Sequence, residues 1–213
     1  MTIRARWLTG LAAAVGYLLL WLGWLGHWSW PTELDSALLD SACRYGVAHP
    51  GWVRGWKVFC TVFGPWTFQM IAAVVAIVAL VRRQPRTAIF LLVAVELSGF
   101  VTEIAKDLAH RARPLTALTH EPTWSFPSGH ALGTIAGALA LCAVLRVTDL
   151  AWRRFVVGLC AVIVLAVGVG RVVLNVHYPT DVLAGWLLGY LWILMCLPIL
   201  ASRRSTDSIP AGT

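Results

Sequence analysis

The sequence predicts an all-α integral membrane protein: a bundle of six transmembrane helices with a short interfacial helix between spans one and two. Three observations predict it. The 213 residues are 59% hydrophobic, with a mean hydropathy of +0.75. Only 13% are charged, about half the ~25% usual for a soluble domain. Apolar runs of roughly 20 residues, the length that crosses a bilayer core, recur six times between short polar segments.

Residues 7–26 form the first run. Arg4 and Arg6 precede it as in a signal peptide, but the run is too long for one and no small-residue cleavage pattern follows, so it reads as an anchor. Residues 27–54 are a polar interlude with Pro31, Glu33, Asp35 and Asp40. Within it Leu34, Leu38, Leu39 and Cys43 recur at helical spacing, which predicts a short helix lying on the membrane surface. The second span covers 57–81, and Gly64–Pro65 should kink or delay it. The third covers 87–104 and is followed by a polar loop, 106–124. The fourth, 127–147, opens at Pro127–Ser128; the fifth covers 155–173 and the sixth 181–200. The chain, 1–213, shows no internal repeat and reads as one membrane-embedded domain with a disordered tail over 202–213.

The net charge of +7 sits in short clusters between apolar runs, not on one continuous basic face, so nucleic acid is not an expected partner. Cys43, Cys60, Cys142, Cys160 and Cys196 form no CxxC pair and lie mostly in apolar runs. They read as small apolar side chains, not as a disulfide framework or a zinc site. Lys and Arg segregate to alternating ends of the spans. Arg4, Arg6, Arg82, Arg83, Arg86, Arg146, Arg153, Arg154, Arg203 and Arg204 make ten on one side; Arg44, Arg54, Lys57, Lys106, Arg111, Arg113 and Arg171 make seven on the other. The richer side should face the cytoplasm, with both termini inside. Trp21, Trp24, Trp28, Trp30, Trp52 and Trp56 then gather toward the outer side as an interfacial belt.

Three segments put polar residues at the outer ends of spans. They are Lys106-Asp-Leu-Ala-His-Arg-Ala-Arg113-Pro114, Pro127-Ser128-Gly129-His130, and Arg171-Val-Val-Leu-Asn-Val-His177-Tyr-Pro-Thr-Asp181. Lys106, Arg113 and Arg171 supply three cations, and guanidinium groups suit bidentate binding of oxyanions. Ser128, Gly129 and His130 open a helix, where free N–H groups and the helix dipole favour an anion. His130 and His177 are suited to nucleophile and acid roles at neutral pH. Asp181, four residues after His177 with Pro179 between, should come back through a tight turn to orient the imidazole. No cluster of Asp and Glu offers a cage for magnesium or zinc, so the site requires neither metal nor other cofactor.

These segments resemble the signature of the type-2 phosphatidic acid phosphatase superfamily: K-x6-RP, then PSGH, then SR-x5-H-x3-D. Order and spacing match, and so does every fixed position but one. Gly170 stands where the family usually has Ser, which removes one hydroxyl contact to phosphate. The resemblance implies His177 as nucleophile, Asp181 as its orienter and His130 as proton donor to the leaving oxygen. It implies that Lys106, Arg113, Ser128, Gly129 and Arg171 hold the phosphoryl oxygens, and that no metal takes part. Soluble vanadium haloperoxidases share these motifs, but so apolar a chain is similar to the membrane phosphatase branch.

The expected activity is therefore metal-independent hydrolysis of a lipid phosphate or diphosphate through a phosphohistidine, at the extracytoplasmic face of a bacterial inner membrane. Undecaprenyl diphosphate, phosphatidylglycerophosphate and phosphatidic acid stay open as substrates. A six-span transporter and a silent lipid-binding protein are the alternatives. The first has only the span count and Glu96 behind it, without the paired broken helices of transporters. Glu96 itself, a carboxylate inside a span, is open to a structural and a functional reading. His110, Arg111 and His120 are read as loop solvation or headgroup contacts. Glu103 should pair with Lys106 along the helix.

Overall fold

The computed structural model describes residues 2–145 and 149–201, and among these every regular element is helical. Arg146, Arg203 and Arg204 of the charge count, and the tail 202–213, lie outside the described residues.

Helix α1, Ile3–Leu25, starts from Thr2, whose hydroxyl accepts from the Ala5 N–H. Helix α2, Ser29–Ala48, occupies the polar interlude. The helix expected there exists, but at 20 residues it is not short. No Gly or Pro stands between Pro31 and Gly46 to stop it. Helices α3, Pro50–Val62, and α4, Pro65–Val81, are separated by a break at Phe63–Gly64. The expected interruption at Gly64–Pro65 is thus present, with Pro65 opening α4, where its missing N–H costs nothing. The apolar stretch begins earlier than anticipated, at Pro50.

Helix α5, Pro85–Leu91, passes through a π-helical turn, Leu92–Glu96, into α6, Ser98–Ala109. The Leu97 N–H donates to the Leu92 carbonyl at 3.2 Å, the i→i+5 bond of that turn. Helix α7 is Gly129–Val144. Helix α8, Leu150–Val173, is capped by the Asp149 carboxylate, which accepts from Trp152 N–H at 2.6 Å. Helix α9, Pro179–Cys196, ends in a 3₁₀ turn, Leu197–Leu200.

Among the described residues five helical stretches are long and apolar enough to cross a membrane: Ile3–Leu25, Pro50–Val81, Pro85–Ala109, Leu150–Val173 and Pro179–Leu200. The expected fourth span falls short of that standard. Helix α7 has 16 residues, about 24 Å at 1.5 Å per residue, because the backbone turns extended at Leu145.

Helix α7 is the hub, packed against α4, α6, α8 and α9, while α9 is sandwiched between α7 and α1. Lipid tails are as apolar as Leu, so helices gain little by hiding Leu from them; small residues that let backbones approach do more. The core follows that rule with Ala72, Ala76, Ala79, Ala88, Ala94, Ala136 and Ala140. Large side chains such as Leu11, Leu18, Val74, Ile77, Leu159 and Val162 face outward. The α7–α9 contact is set by Gly185 and Gly189. A Cβ on Gly185 would lie 2.5 Å from the Ser128 carbonyl oxygen and 2.9 Å from Ala131 Cβ; one on Gly189 would lie 2.8 Å from the Leu132 carbonyl oxygen.

The two ends of the bundle differ chemically. At one, Arg82, Arg83 and Arg86 line a cavity with Leu145 and Leu200, and Arg86 Nη1 donates to the Ala201 carbonyl at 3.1 Å. At the other, the C-terminal ends of α6 and α8 meet the N-terminal ends of α7 and α9.

Gly185→Ala should therefore overpack the α7–α9 contact and cost about 1–3 kcal/mol, read as a lower unfolding midpoint in detergent. Gly158→Ala, whose added Cβ would meet nothing within 4 Å, is the control. Equal effects of the two would refute a contact limited by backbone approach.

Candidate active site

The turn into α9 is built by its own sequence. Tyr178 is the N-cap, Pro179 fixes the first turn, and Asp181 falls at the third helical position. Its Oδ2 accepts from the Tyr178 N–H at 2.9 Å, so the carboxylate caps the helix that carries it. His177, just before the cap, is thereby turned so that its Nδ1 lies 3.5 Å from the same oxygen. That pairing is electrostatic and falls short of a formed hydrogen bond: Nδ1 has no hydrogen-bond partner among the described residues. The tight turn expected between His177 and Asp181 is present.

His177 is 1% exposed. Burial lowers its pKa to about 4, against the opposing pull of Asp181, so the ring is neutral at neutral pH. Its tautomer follows from its other neighbour. Arg113 Nη1 lies 3.1 Å from Nε2, and a guanidinium only donates. Nε2 must therefore be the unprotonated nitrogen, and the proton sits on Nδ1, toward Asp181. The arrangement points the Nε2 lone pair away from the carboxylate and toward Arg113.

Arg113 is held in place by the backbone: Nη1 donates to the Val176 carbonyl at 2.7 Å and Nε to the Thr123 carbonyl at 2.7 Å. Lys106 Nζ donates to Glu103 Oε1 at 2.9 Å and to Thr123 Oγ1 at 2.8 Å. The expected Glu103–Lys106 ion pair is present. Lys106 also lies 3.9 Å from where a Cβ on Gly129 would be, so it reaches the first turn of α7. There Ser128 caps the helix, its hydroxyl accepting from Ala131 N–H at 3.4 Å, while its own N–H donates to the Asp181 carbonyl at 2.9 Å. The N–H groups of Gly129 and His130 have no acceptor inside the helix.

His130 Cδ2 stands 3.4 Å from where a Cβ on Gly64 would be, at the α3–α4 break. Its ring shares an electrostatic environment with Arg171, His177, Glu121 and Lys106. Among the described residues no hydrogen bond joins that ring to His177. Arg171, 4% exposed at the end of α8, is paired with Glu121. All eight residues singled out in the sequence thus lie at the same end of the bundle. Such a set of cations, helix N–H groups and a neutral histidine with an unprotonated Nε2 can bind a phosphoryl group and, once Arg113 moves onto that group, attack it. Among the described residues no group of three or more His, Cys, Asp and Glu converges as a metal site would require.

Sequence reasoning missed several members. Glu121, in the loop between α6 and α7, is ionised below the usual carboxylate range; burial opposes this, but the Arg171 guanidinium outweighs it. Ser125 Oγ donates to Asp181 Oδ2, and Thr123 bridges Lys106 and Arg113. Arg111 is neither loop solvation nor a headgroup contact: it is 6% exposed and paired with Asp181 and Asp35. Its partner Asp35 lies 76 positions away, a separation at which no local spacing signals a pair. His110 packs edge-on to Trp124, ring centroids 5.1 Å apart, and His120 is exposed. Glu96 sits in the π-helical turn beside Gly99 and Thr102, with one buried carboxylate oxygen that has no hydrogen-bond partner among the described residues.

The family model described as the PAP2 superfamily matches residues 87–205. An undecaprenyl-diphosphatase from Sulfolobus acidocaldarius is 32% identical over 148 residues, 66% of this chain and 67% of that protein. Phosphatidylglycerophosphatase B from Bacillus subtilis is 36% identical over 96 residues, 43% of this chain and 47% of that protein, so the matched region spans about half of that relative. The crystal structure of a transmembrane PAP2-type phosphatidylglycerolphosphate phosphatase from Bacillus subtilis superposes with a TM-score of 0.77 at 23% identity, covering 92% of this chain and 98% of that one.

Gly170 departs from the signature for a visible reason. An added Cβ would lie 2.5 Å from Cys60 Sγ and 2.8 Å from the Trp56 ring, so the position faces α3. The idea that a serine here would gain a phosphate contact is not supported by that packing. Gly170→Ser should destabilise by about 1–3 kcal/mol through overpacking, seen as a lower midpoint of thermal unfolding; an unchanged midpoint would show that α3 yields freely.

Proposed function

This chain belongs to the PAP2 superfamily, and from that premise we propose that it hydrolyses a lipid phosphate or diphosphate through a phosphohistidine on His177. Phosphatase activity is the class of the family. Undecaprenyl diphosphate, phosphatidylglycerophosphate and phosphatidic acid are the candidate substrates, the first two because the matched relatives carry those activities in their names. The observation that carries the reading is His177: neutral, buried, its Nδ1 turned to Asp181 and its Nε2 lone pair facing Arg113.

In the proposed first step Nε2 attacks phosphorus and the bond from phosphorus to the lipid oxygen breaks. The leaving oxygen takes a proton from His130, while Asp181 stabilises the charge that develops on the His177 ring. Water then attacks the phosphohistidine, His130 receives its proton, the P–N bond breaks and inorganic phosphate leaves. Lys106, Arg113, Arg171, the Ser128 hydroxyl and the N–H groups at Gly129 and His130 hold the equatorial oxygens through both steps. Arg113 must shift its Nη1 from the Nε2 lone pair onto the arriving phosphoryl group.

The same reading takes α7 as a sixth span, shorter than the others, and α2 as an amphipathic helix at the membrane interface. It places the site on the extracytoplasmic side of a bacterial inner membrane, with both termini cytoplasmic. The grouping of Arg82, Arg83 and Arg86 at the end opposite the site supports this under the positive-inside rule.

Cysteine labelling checks the orientation. In a background without native cysteines, a cysteine at Thr119 should react from outside and one at Gln84 only after permeabilisation; the reverse pattern would overturn it.

The two histidines are separated by leaving-group dependence. His177→Ala should abolish turnover of every substrate and all phosphoenzyme. His130→Ala should cost about 10²–10⁴-fold, the usual contribution of general acid catalysis, on a lipid phosphate whose alkoxide needs a proton. The loss on p-nitrophenyl phosphate, whose phenolate hardly needs one, should be far smaller. Equal losses on both substrates would contradict the assigned roles, and an acid-labile phosphoenzyme in His177→Ala would name another nucleophile.

A further inference from the structure

We propose that Arg111 and Asp35 are positioning residues for the attacking histidine, acting through Asp181. The inference rests on the reading of His177 as nucleophile and extends it to α2, a segment outside the three motifs.

Asp181 uses its two oxygens differently. Oδ2 faces His177 Nδ1 and also accepts from Ser125 Oγ and the Tyr178 N–H. Oδ1 accepts from Arg111 Nη1 at 2.6 Å. A carboxylate held on Oδ2 alone can still pivot about its Cβ–Cγ bond; the contact on Oδ1 fixes its plane, and with it the direction in which Oδ2 meets the imidazole. Arg111 is fixed in turn. Its Nη2 donates to Asp35 Oδ2 at 2.8 Å, its Nη1 also donates to Thr180 Oγ1 at 2.8 Å, and its guanidinium carbon lies 3.9 Å from the Tyr178 ring centroid and 5.0 Å from that of Trp24. Asp35 closes the circuit: it accepts the Thr180 N–H at 3.0 Å and the Thr180 hydroxyl at 2.6 Å, from the residue adjoining Asp181.

Asp35 is 1%, Arg111 6% and Asp181 0% exposed. Buried ion networks are poor stabilisers, since the desolvation of each charge offsets the attraction. A buried Arg111–Asp35 pair set behind the Asp181 carboxylate is therefore better explained by geometry than by stability. The polar partners of Arg111 among the described residues are Asp181, Asp35 and Thr180. Arg111 lies behind the carboxylate, whereas Arg113, two residues on, meets the opposite nitrogen of the same histidine. The loop after α6 thus grips His177 from both sides.

The roles predict different kinetics. In the full-length protein in detergent, Arg111→Ala should lower kcat by about 10²-fold, the scale of a displaced reacting group. KM and the inhibition constant of inorganic phosphate should stay close to wild type, because Arg111 touches no phosphate. Arg113→Ala, by contrast, should raise both. Free guanidinium ion should restore part of the kcat of Arg111→Ala by filling the site between Asp35 and Asp181. Asp35→Asn should lower kcat in the same direction with KM unchanged. If Arg111→Ala does not fold, Arg111→Lys and Asp35→Asn decide: lost kcat with retained KM supports the proposal, and wild-type kcat in both overturns it. Loss of kcat that follows thermal destabilisation and resists guanidinium also overturns it. An active His177→Ala enzyme would reject the site reading itself, whereas an inactive one beside fully active Arg111 and Asp35 variants rejects only this inference.

Discussion

A carboxylate with no exposed surface inside an apolar bundle is tolerable only if every lone pair is answered, and Asp181 meets that demand with neighbours from separate parts of the chain. Its oxygens receive Arg111 and Ser125 from the loop after α6, Tyr178 from its own turn, and the approach of His177. Its backbone carbonyl receives the Ser128 N–H, which sets where α7 begins. Each partner is ordered because Asp181 needs it, and each brings a functional neighbour: Ser128 brings Gly129 and His130, and Arg111 brings Arg113. The desolvation penalty of one group thus does the work of assembling four segments.

That assembly requires helices able to come close without large apolar side chains between them. Gly185 puts α9 against the Ser128 carbonyl, and Gly170 puts α8 against Cys60 and Trp56 of α3. Both lie within one or two turns of a motif residue, so the packing of the spans and the placement of the cations are one problem. Burial in turn decides the chemistry of His177: deprived of water, the ring is held neutral at a pH where a free histidine begins to charge.

Much of this was legible in the sequence. Composition and run length identified a helical membrane protein, and the Gly64–Pro65 break, the turn at Tyr178–Pro179 and the Glu103–Lys106 pair followed from local rules. The motif residues were legible because their spacing within each segment is short. What escaped were contacts without local periodicity. Asp35 meets Thr180 across 145 positions, and nothing in the interlude distinguishes it from Asp40, which is exposed. Arg111 read as an ordinary loop cation because its burial depends on α2, a helix expected to be short and to lie on the surface. Glu121 was hidden in a loop whose path no periodicity specifies. The length of α7 was overestimated because nothing in the sequence before Arg146 marks a stop, whereas the backbone departs from the helix at Leu145.

The brevity of α7 has a consequence for depth. A rod of about 24 Å is shorter than a hydrocarbon slab of about 30 Å, and such a mismatch is relieved by thinning the bilayer locally or by recessing one end of the rod. If α7 is the sixth span proposed above, recession of the end bearing Ser128, Gly129 and His130 would set the site below the membrane surface. A phosphate bound there would lie near the level of the ester linkages of neighbouring lipids, so an amphiphile could slide in sideways with its tail still in the leaflet. The free-energy cost of drawing a long hydrocarbon chain into water would then never enter the barrier to turnover.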